Sequence, residues 1–149
     1  MKKRRRGGPR ESRALDAYVG LVRAAECVSA RSHGHLSRYD LTPSQFGALE
    51  ALFRLGPLCQ RDIALKLLRT EGNVTQMLKN LERRGLVERR RDAANRRFRT
   101  AQLTPRGRVL VAAVFPRHLR AVSAEMRGLN PAELKSLGRL CQRLEKTVD

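Results

Sequence analysis

The chain has no tryptophan, and aromatic residues make up only 4% of its 149 positions. A composition so poor in rings, with 41% hydrophobic residues, favours helices packed through Leu, Val and Ala over a β-sandwich. Cysteine is scarce as well. Cys27, Cys59 and Cys141 form no C-x-x-C pair and cannot all pair within one chain, so reduced thiols are expected. No apolar run reaches the ~18 residues of a membrane span. The basic start is followed by Glu11, Ser12, Arg13 and Asp16 rather than by the apolar stretch of a signal peptide, so a cytoplasmic protein with no membrane partner is expected. Catalytic signatures are missing too: there is no P-loop, no Gly-x-Ser-x-Gly, no His-Glu-x-x-His and no evident carboxylate pair, so neither an enzyme nor a cofactor is expected.

What the chain has is positive charge. Its 32 Lys and Arg against 14 Asp and Glu give a formal net charge of +18. A field of that sign gathers polyanions, of which nucleic acid is the commonest soluble one, although an Arg excess also follows from genome composition. The length suits a single compact unit. Residues 1–11 carry six basic residues with Gly7, Gly8 and Pro9, and are expected to form a disordered basic arm.

Apolar periodicity predicts the rest. Leu15, Tyr18, Val19, Val22, Ala25 and Val28 recur at helical steps from Ser12 to about Leu36. Thr42-Pro43-Ser44-Gln45 reads as a capping box with Pro at the first helical position, opening a second helix that turns Phe46, Leu49 and Leu52 inward. A short helix over Gln60 to Leu68 buries Ile63, Ala64, Leu67 and Leu68. After a polar turn, a helix over about 72–84 buries Val74, Met77, Leu78 and Leu81 and closes at Gly85. Two short helices joined so tightly have helix-turn-helix spacing. Leu86–Arg90 and Arg99–Leu103 read as strands of a hairpin with turn formers between them. Thr104-Pro105 opens a helix expected to kink ahead of Pro116, and Asn130-Pro131-Ala132-Glu133 opens the last. The fold class is thus mainly α with a small β-hairpin wing: a winged helix-turn-helix domain plus terminal helices.

The 72–84 helix carries Asn73, Thr75, Gln76, Lys79, Asn80 and Arg83 opposite its apolar face. Asn and Gln pair with adenine edges and Arg and Lys with guanine edges in the major groove, which admits a helix. From Lys79 to Arg99 there are nine basic residues and three acids. That clustering makes most sense if phosphates neutralise it, and it adds Arg89, Arg91, Arg96, Arg97 and Arg99 to the candidate DNA contacts.

Over nearly all of residues 12–148 the sequence resembles the MarR family of bacterial transcriptional regulators. The residues that carry the resemblance are Leu41-Thr-Pro-Ser-Gln-Phe46, Asn73 through Val87, and Arg96-Arg97 followed by Leu103-Thr104. The resemblance implies a homodimer in which 12–40 and 104–148 form the dimerisation helices and 41–103 the winged helix-turn-helix lobe. It further implies a helix near Gly72 that reads bases of double-stranded DNA, and Arg97 as the wing arginine. Asn95 stands where the family pattern usually has Asp. Family members often release DNA on binding small phenolic or other aromatic anions, and Tyr18, His33, Tyr39, Phe46 and Phe115 are the candidates here for an effector crevice. The function expected is a sequence-specific DNA-binding regulator acting as a repressor. The alternative is a sequence-indifferent architectural DNA-binding protein, which the basic arm suits. Cys27 lies in the first helix and is expected to be an inert buried thiol. His33-Gly34-His35 lacks further ligands at metal spacing, so no metal is expected.

Overall fold

The computed structural model describes residues 8–95 and 97–146. Helix α1 spans Pro9–Ser32, a 3-10 helix spans Gly34–Tyr39, and α2 spans Pro43–Leu55. Strand β1 (Leu58–Cys59) leads into α3 (Gln60–Leu67) and α4 (Glu71–Arg83), followed by β2 (Val87–Arg91) and β3 (Arg99–Leu103), then α5 (Pro105–Glu125) and α6 (Pro131–Glu145). The element order and types match the sequence-based expectation, with three differences. The first helix starts at Pro9 rather than Ser12, because Pro9 sits at the first helical position and the Glu11 carboxylate accepts from the Gly8 N–H at 2.7 Å. Residues 9–11 are therefore helical, and residues 1–7 of the expected arm lie outside the described residues. At its other end α1 stops at Ser32, and the 3-10 turn that follows swings Leu36 into the core at 1% exposure. The third difference is β1, which adds a strand to the hairpin and makes a sheet of order β1-β3-β2.

The described residues divide into two compact units: residues 8–34 with 120–146, and His35–Leu119. The second is larger than the 41–103 lobe expected, because Leu36 and α5's Val111 and Val114 belong to its core. That core gathers Phe46, Leu49 and Leu52 of α2, Ile63 of α3, Val74, Leu78 and Leu81 of α4, and Val87, Ala101 and Leu103 of the sheet. Met77 is partly buried against it. Leu68, expected inward, is 90% exposed with φ +50°, because it takes the left-handed position that closes α3 and turns the chain toward α4. Helix α5 continues through Pro116 for nine more residues. Pro116 and Ala112 are both exposed, so water can replace the missing hydrogen bond there.

In the first unit, Arg31 of α1 donates to Glu125 at 2.5 Å, and that bond together with the carboxylate's charge raises the Arg31 pKa above its ordinary value. Much of the apolar surface of α1 and α6 is uncovered. Leu15, Tyr18, Val19 and Leu21 of α1 and Leu134, Leu140 and Leu144 of α6 are exposed, and α6 has no buried residue at all. Cys27 is exposed as well, contrary to the buried thiol expected, because its surroundings on α1 are exposed.

Where β2 begins, the backbone turns back on α5. The Thr104 hydroxyl donates to Gly85 O and accepts from the Gly107 N–H, while the Thr104 N–H donates to Leu86 O. A Cβ on Gly107 would lie 2.0 Å from that same Leu86 oxygen. Only glycine allows this approach, so Gly107→Ala should lower folding stability by about 1–3 kcal/mol or more as the helix is pushed off the strand. Urea denaturation measures it, and an unchanged midpoint would exclude the close approach.

Candidate nucleic-acid interface

Helix α4 starts with Thr70, whose hydroxyl accepts from the Asn73 N–H at 3.2 Å, and ends where Gly85 adopts φ +70°. Burial of Val74, Leu78 and Leu81 turns the opposite face outward. The six polar residues nominated on this helix separate into two groups. Asn73, Gln76, Lys79 and Arg83 are exposed, and their side chains make no hydrogen bond to another described residue. Thr75 and Asn80 are half-buried and engaged. The amide of Gln60, at the start of α3, donates to the Thr75 hydroxyl, and the amide of Gln45, at the start of α2, donates to Asn80 Oδ1 at 3.2 Å. Thr75 also donates to Glu71 O at 2.8 Å. Each therefore pins α4 to another helix, and the other four are left exposed without such a tie.

Gln45 and Gln60 were not among the site residues expected from sequence. Gln45 was visible only as a capping residue, a role it also fills by accepting from the Thr42 N–H at 3.0 Å. Arg84 is a third tie. Its guanidinium donates to Asp40 O at 2.7 Å and Tyr39 O at 3.2 Å, holding the end of α4 to the turn in which Asp40 has φ +51°.

The wing follows from strand alternation. Val87 pairs with Leu103, Arg89 with Ala101 and Arg91 with Arg99, so these six share one face of the hairpin. The face is apolar at its base, and Arg89 is drawn in with it. Its side chain is 10% exposed and donates twice to Glu82 Oε2 on α4, at 2.7 and 3.0 Å. Arg89 is thus a tie between α4 and the wing, with its side chain largely withdrawn from solvent, unlike the other wing arginines expected to contact DNA. The period-two step from Val87 could have indicated this. On the other face, Glu88 accepts from Gln102 and, at 3.3 Å, from Arg90.

At the wing tip, Asn95 Oδ1 accepts from the Arg97 N–H at 3.1 Å, and Asp92 Oδ1 accepts from the Ala94 N–H at 2.7 Å. Both are side-chain turns that hold backbone, and the Arg97 side chain forms no ion pair among the described residues. Arg91, Arg97 and Arg99 are exposed, and Arg96 lies outside the described residues.

The five effector candidates are divided between the two units. Tyr18 and His33 belong to the first unit, and Tyr18 is 62% exposed. In the second, Phe46 is a core residue, 3% exposed, with its ring 4.8 Å from that of His118. Phe115 packs against the core with its ring 6.2 Å from Phe53. Tyr39 edges an open cleft of about 420 Å3, with Arg84, Arg106 and Leu110 among its walls. Among the described residues no group of three or more His, Cys, Asp or Glu is placed to hold a metal ion, and no helix is long and apolar enough to cross a membrane.

The division between ties and free residues is measurable. Arg89→Ala should cost about 1–3 kcal/mol of folding stability, since it leaves Glu82 without its charged partner. Arg97→Ala should leave the melting temperature unchanged. Equal stability of the two variants in thermal melts would remove Arg89 from its structural role.

Comparison with known proteins agrees with this architecture. Residues 41–98 match the model of the MarR family. The chain is 32% identical over 125 residues to the HTH-type transcriptional regulator YkoM of Bacillus subtilis, covering 84% of this chain and 81% of that one. Among solved structures, BpsR of Bordetella bronchiseptica superposes with a TM-score of 0.77 at 28% identity, covering 87% of this chain and 98% of BpsR. AbsC of Streptomyces coelicolor, a MarR family regulator, superposes with a TM-score of 0.80 at 19% identity over 90% and 93% of the two chains. By these matches and by its winged helix-turn-helix, the chain belongs to the MarR family of HTH-type transcriptional regulators.

Proposed function

We propose that this regulator binds duplex DNA sequence-specifically as a homodimer and acts as a repressor released by a small aromatic effector. The observation that carries the reading is the stripe of Asn73, Gln76, Lys79 and Arg83, four outward side chains without internal partners on a helix pinned from behind. These are the groups that read base edges in a major groove. The wing beside them presents Arg97, whose guanidinium suits the negative potential of a narrow minor groove. Seventeen of the chain's 32 basic residues fall within 35–119, the unit that holds both elements.

Dimerisation is supported by the uncovered apolar stripes of α1 and α6, which a second copy would bury. Two α4 helices would then address half-sites about one helical turn apart, ~34 Å. The effector reading is supported by BpsR, whose DNA binding is regulated by 6-hydroxynicotinic acid, an aromatic anion. The cleft edged by Tyr39 offers the Arg106 guanidinium to such a molecule, with Arg84, held to the Asp40 and Tyr39 carbonyls, as part of its wall. Tyr18, His33, Phe46 and Phe115 remain proposed effector residues, each within its own unit. Repression is the simplest outcome for a protein that an effector removes from its operator.

The test is fluorescence anisotropy on DNA from upstream of the protein's own gene and on a shuffled duplex, from about 50 to 300 mM salt. Preference for the natural duplex by ~10³ or more is expected near physiological salt. Two duplexes that weaken together with salt would favour the architectural reading instead, which the +18 charge also suits. Arg97→Ala should weaken operator binding by roughly 1–3 kcal/mol, and parental affinity in that variant would take the wing out of the mechanism. Ultracentrifugation at micromolar concentration should give a dimer, and monomer alone would overturn that part.

A further inference from the structure

Between the neck of the wing and the first turns of α3 and α4 lies a cleft of about 430 Å3 walled by Gln60, Arg61, Glu71, Arg97, Phe98 and Arg99. It combines three guanidinium groups with a phenyl ring, an amide and one carboxylate. Phe98 stands on a rigid frame: its N–H donates to Asn95 O and its carbonyl accepts from the Asp92 N–H, both at 3.0 Å. Phe98 is nevertheless 45% exposed and lies outside the core cluster. Arg61 and Arg99 are exposed and form no ion pair among the described residues.

The position of the cleft gives it a ligand. A helix in the major groove and a wing in the adjoining minor groove are separated by one sugar–phosphate strand, because neighbouring grooves share that wall. The strand has to pass between α4 and the wing, where this cleft opens.

We propose that the cleft seats one deoxyribose phosphate of that strand, an inference that rests on the DNA-binding reading above. Arg61 and Arg99 approach the phosphodiester oxygens from the α3 side and the wing side. The Phe98 ring packs on the apolar face of the sugar. Gln60 gives its amide N–H groups to Thr75 Oγ1 and Glu71 O, so it forms a fixed wall and does not bind phosphate. Glu71 opposes the ligand. Its charge favours the N-terminus of α4 but repels a phosphate, so it lowers affinity for every sequence alike.

The three kinds of contact have different signatures in the salt dependence of binding by the full-length protein to its preferred duplex. Arg61→Gln and Arg99→Gln should each weaken binding about five-fold or more on all duplexes, with the slope of log K against log salt shallower by about one. Phe98→Ala should weaken binding several-fold with the slope unchanged, and Phe98→Leu should recover part of the loss, since an apolar contact releases no counterion. Glu71→Gln should tighten binding at low salt. In a scan of single methylphosphonate substitutions along the duplex, one position should make Arg99→Gln neutral. Melting temperatures equal to the parent's show that the fold is retained.

Phe98→Ala with parental affinity, or arginine variants with the parental slope and no coupled position in the scan, would overturn the proposal while leaving DNA binding in place. A parent that binds no duplex would overturn the DNA-binding reading and this one with it.

Discussion

Three side chains of α4, Val74, Leu78 and Leu81, are fully buried, and the presentation of the interface depends on them. At 3.6 residues per turn, sinking positions 74, 78 and 81 leaves 73, 76, 79 and 83 facing outward. Each buried aliphatic side chain is worth about 1.5–3 kcal/mol, which rolling the helix would forfeit, while intrinsic helix propensities are indifferent to the roll. The roll of α4 is therefore set by the core and not by the polar residues it displays. The amides of Gln45 and Gln60 refine it from either side, through Asn80 and Thr75. Four polar residues are left free on a helix whose orientation they do not determine, so their identities can change without unfolding the lobe.

The wing depends on the same helix. A two-stranded hairpin with Arg at 89, 90, 91, 97 and 99 is self-repelling and marginal alone. Here it gains a third strand in β1, an apolar row of Val87, Ala101 and Leu103, and the Arg89–Glu82 pair that returns to α4. At its base, Thr104 and Gly107 bring α5 onto Leu86. The wing and the outward face of α4 are thus held in fixed relation by contacts inside a single compact unit.

Wherever a strong local signal acted alone, the fold was legible in the sequence. The Thr42-Pro43-Gln45 box opens α2, Asn130-Pro131-Glu133 opens α6, and Gly85 closes α4 with positive φ, each as its residue types require. Illegible features depended on distant partners. Strand β1 has two residues and exists only because β3 offers an edge, pairing Leu58 with Ala101. Leu68 follows the helical apolar pattern yet is the residue at which α3 must end, so it is exposed. Arg89 reads as one cation among nine until Glu82, on the neighbouring helix, takes it out of solvent. The candidate site divides the same way. The outward residues of α4 follow from periodicity, while the glutamines that brace it and the Phe98 cleft beside it become visible only when α2, α3 and the wing are brought together.

The departure at Asn95 bears on how the wing behaves electrostatically. Its side-chain oxygen still accepts from the Arg97 N–H, so an amide suffices to form the turn. A carboxylate there would also place a negative charge beside the wing arginine, lowering the local field and giving the guanidinium a partner in the free protein. With Asn the backbone is held while the positive charge stays whole, and Asp92, whose carboxylate is committed to the Ala94 N–H, forms no ion pair with it. In the proposed complex this removes a partner that Arg97 would otherwise have to leave before entering the groove, and it leaves the arginine less firmly aimed. Electrostatic attraction then carries more of the wing's contribution, and oriented contact carries less. In that proposed complex the balance favours fast capture of DNA and steep salt dependence, with the choice of sequence falling to the four outward side chains of α4.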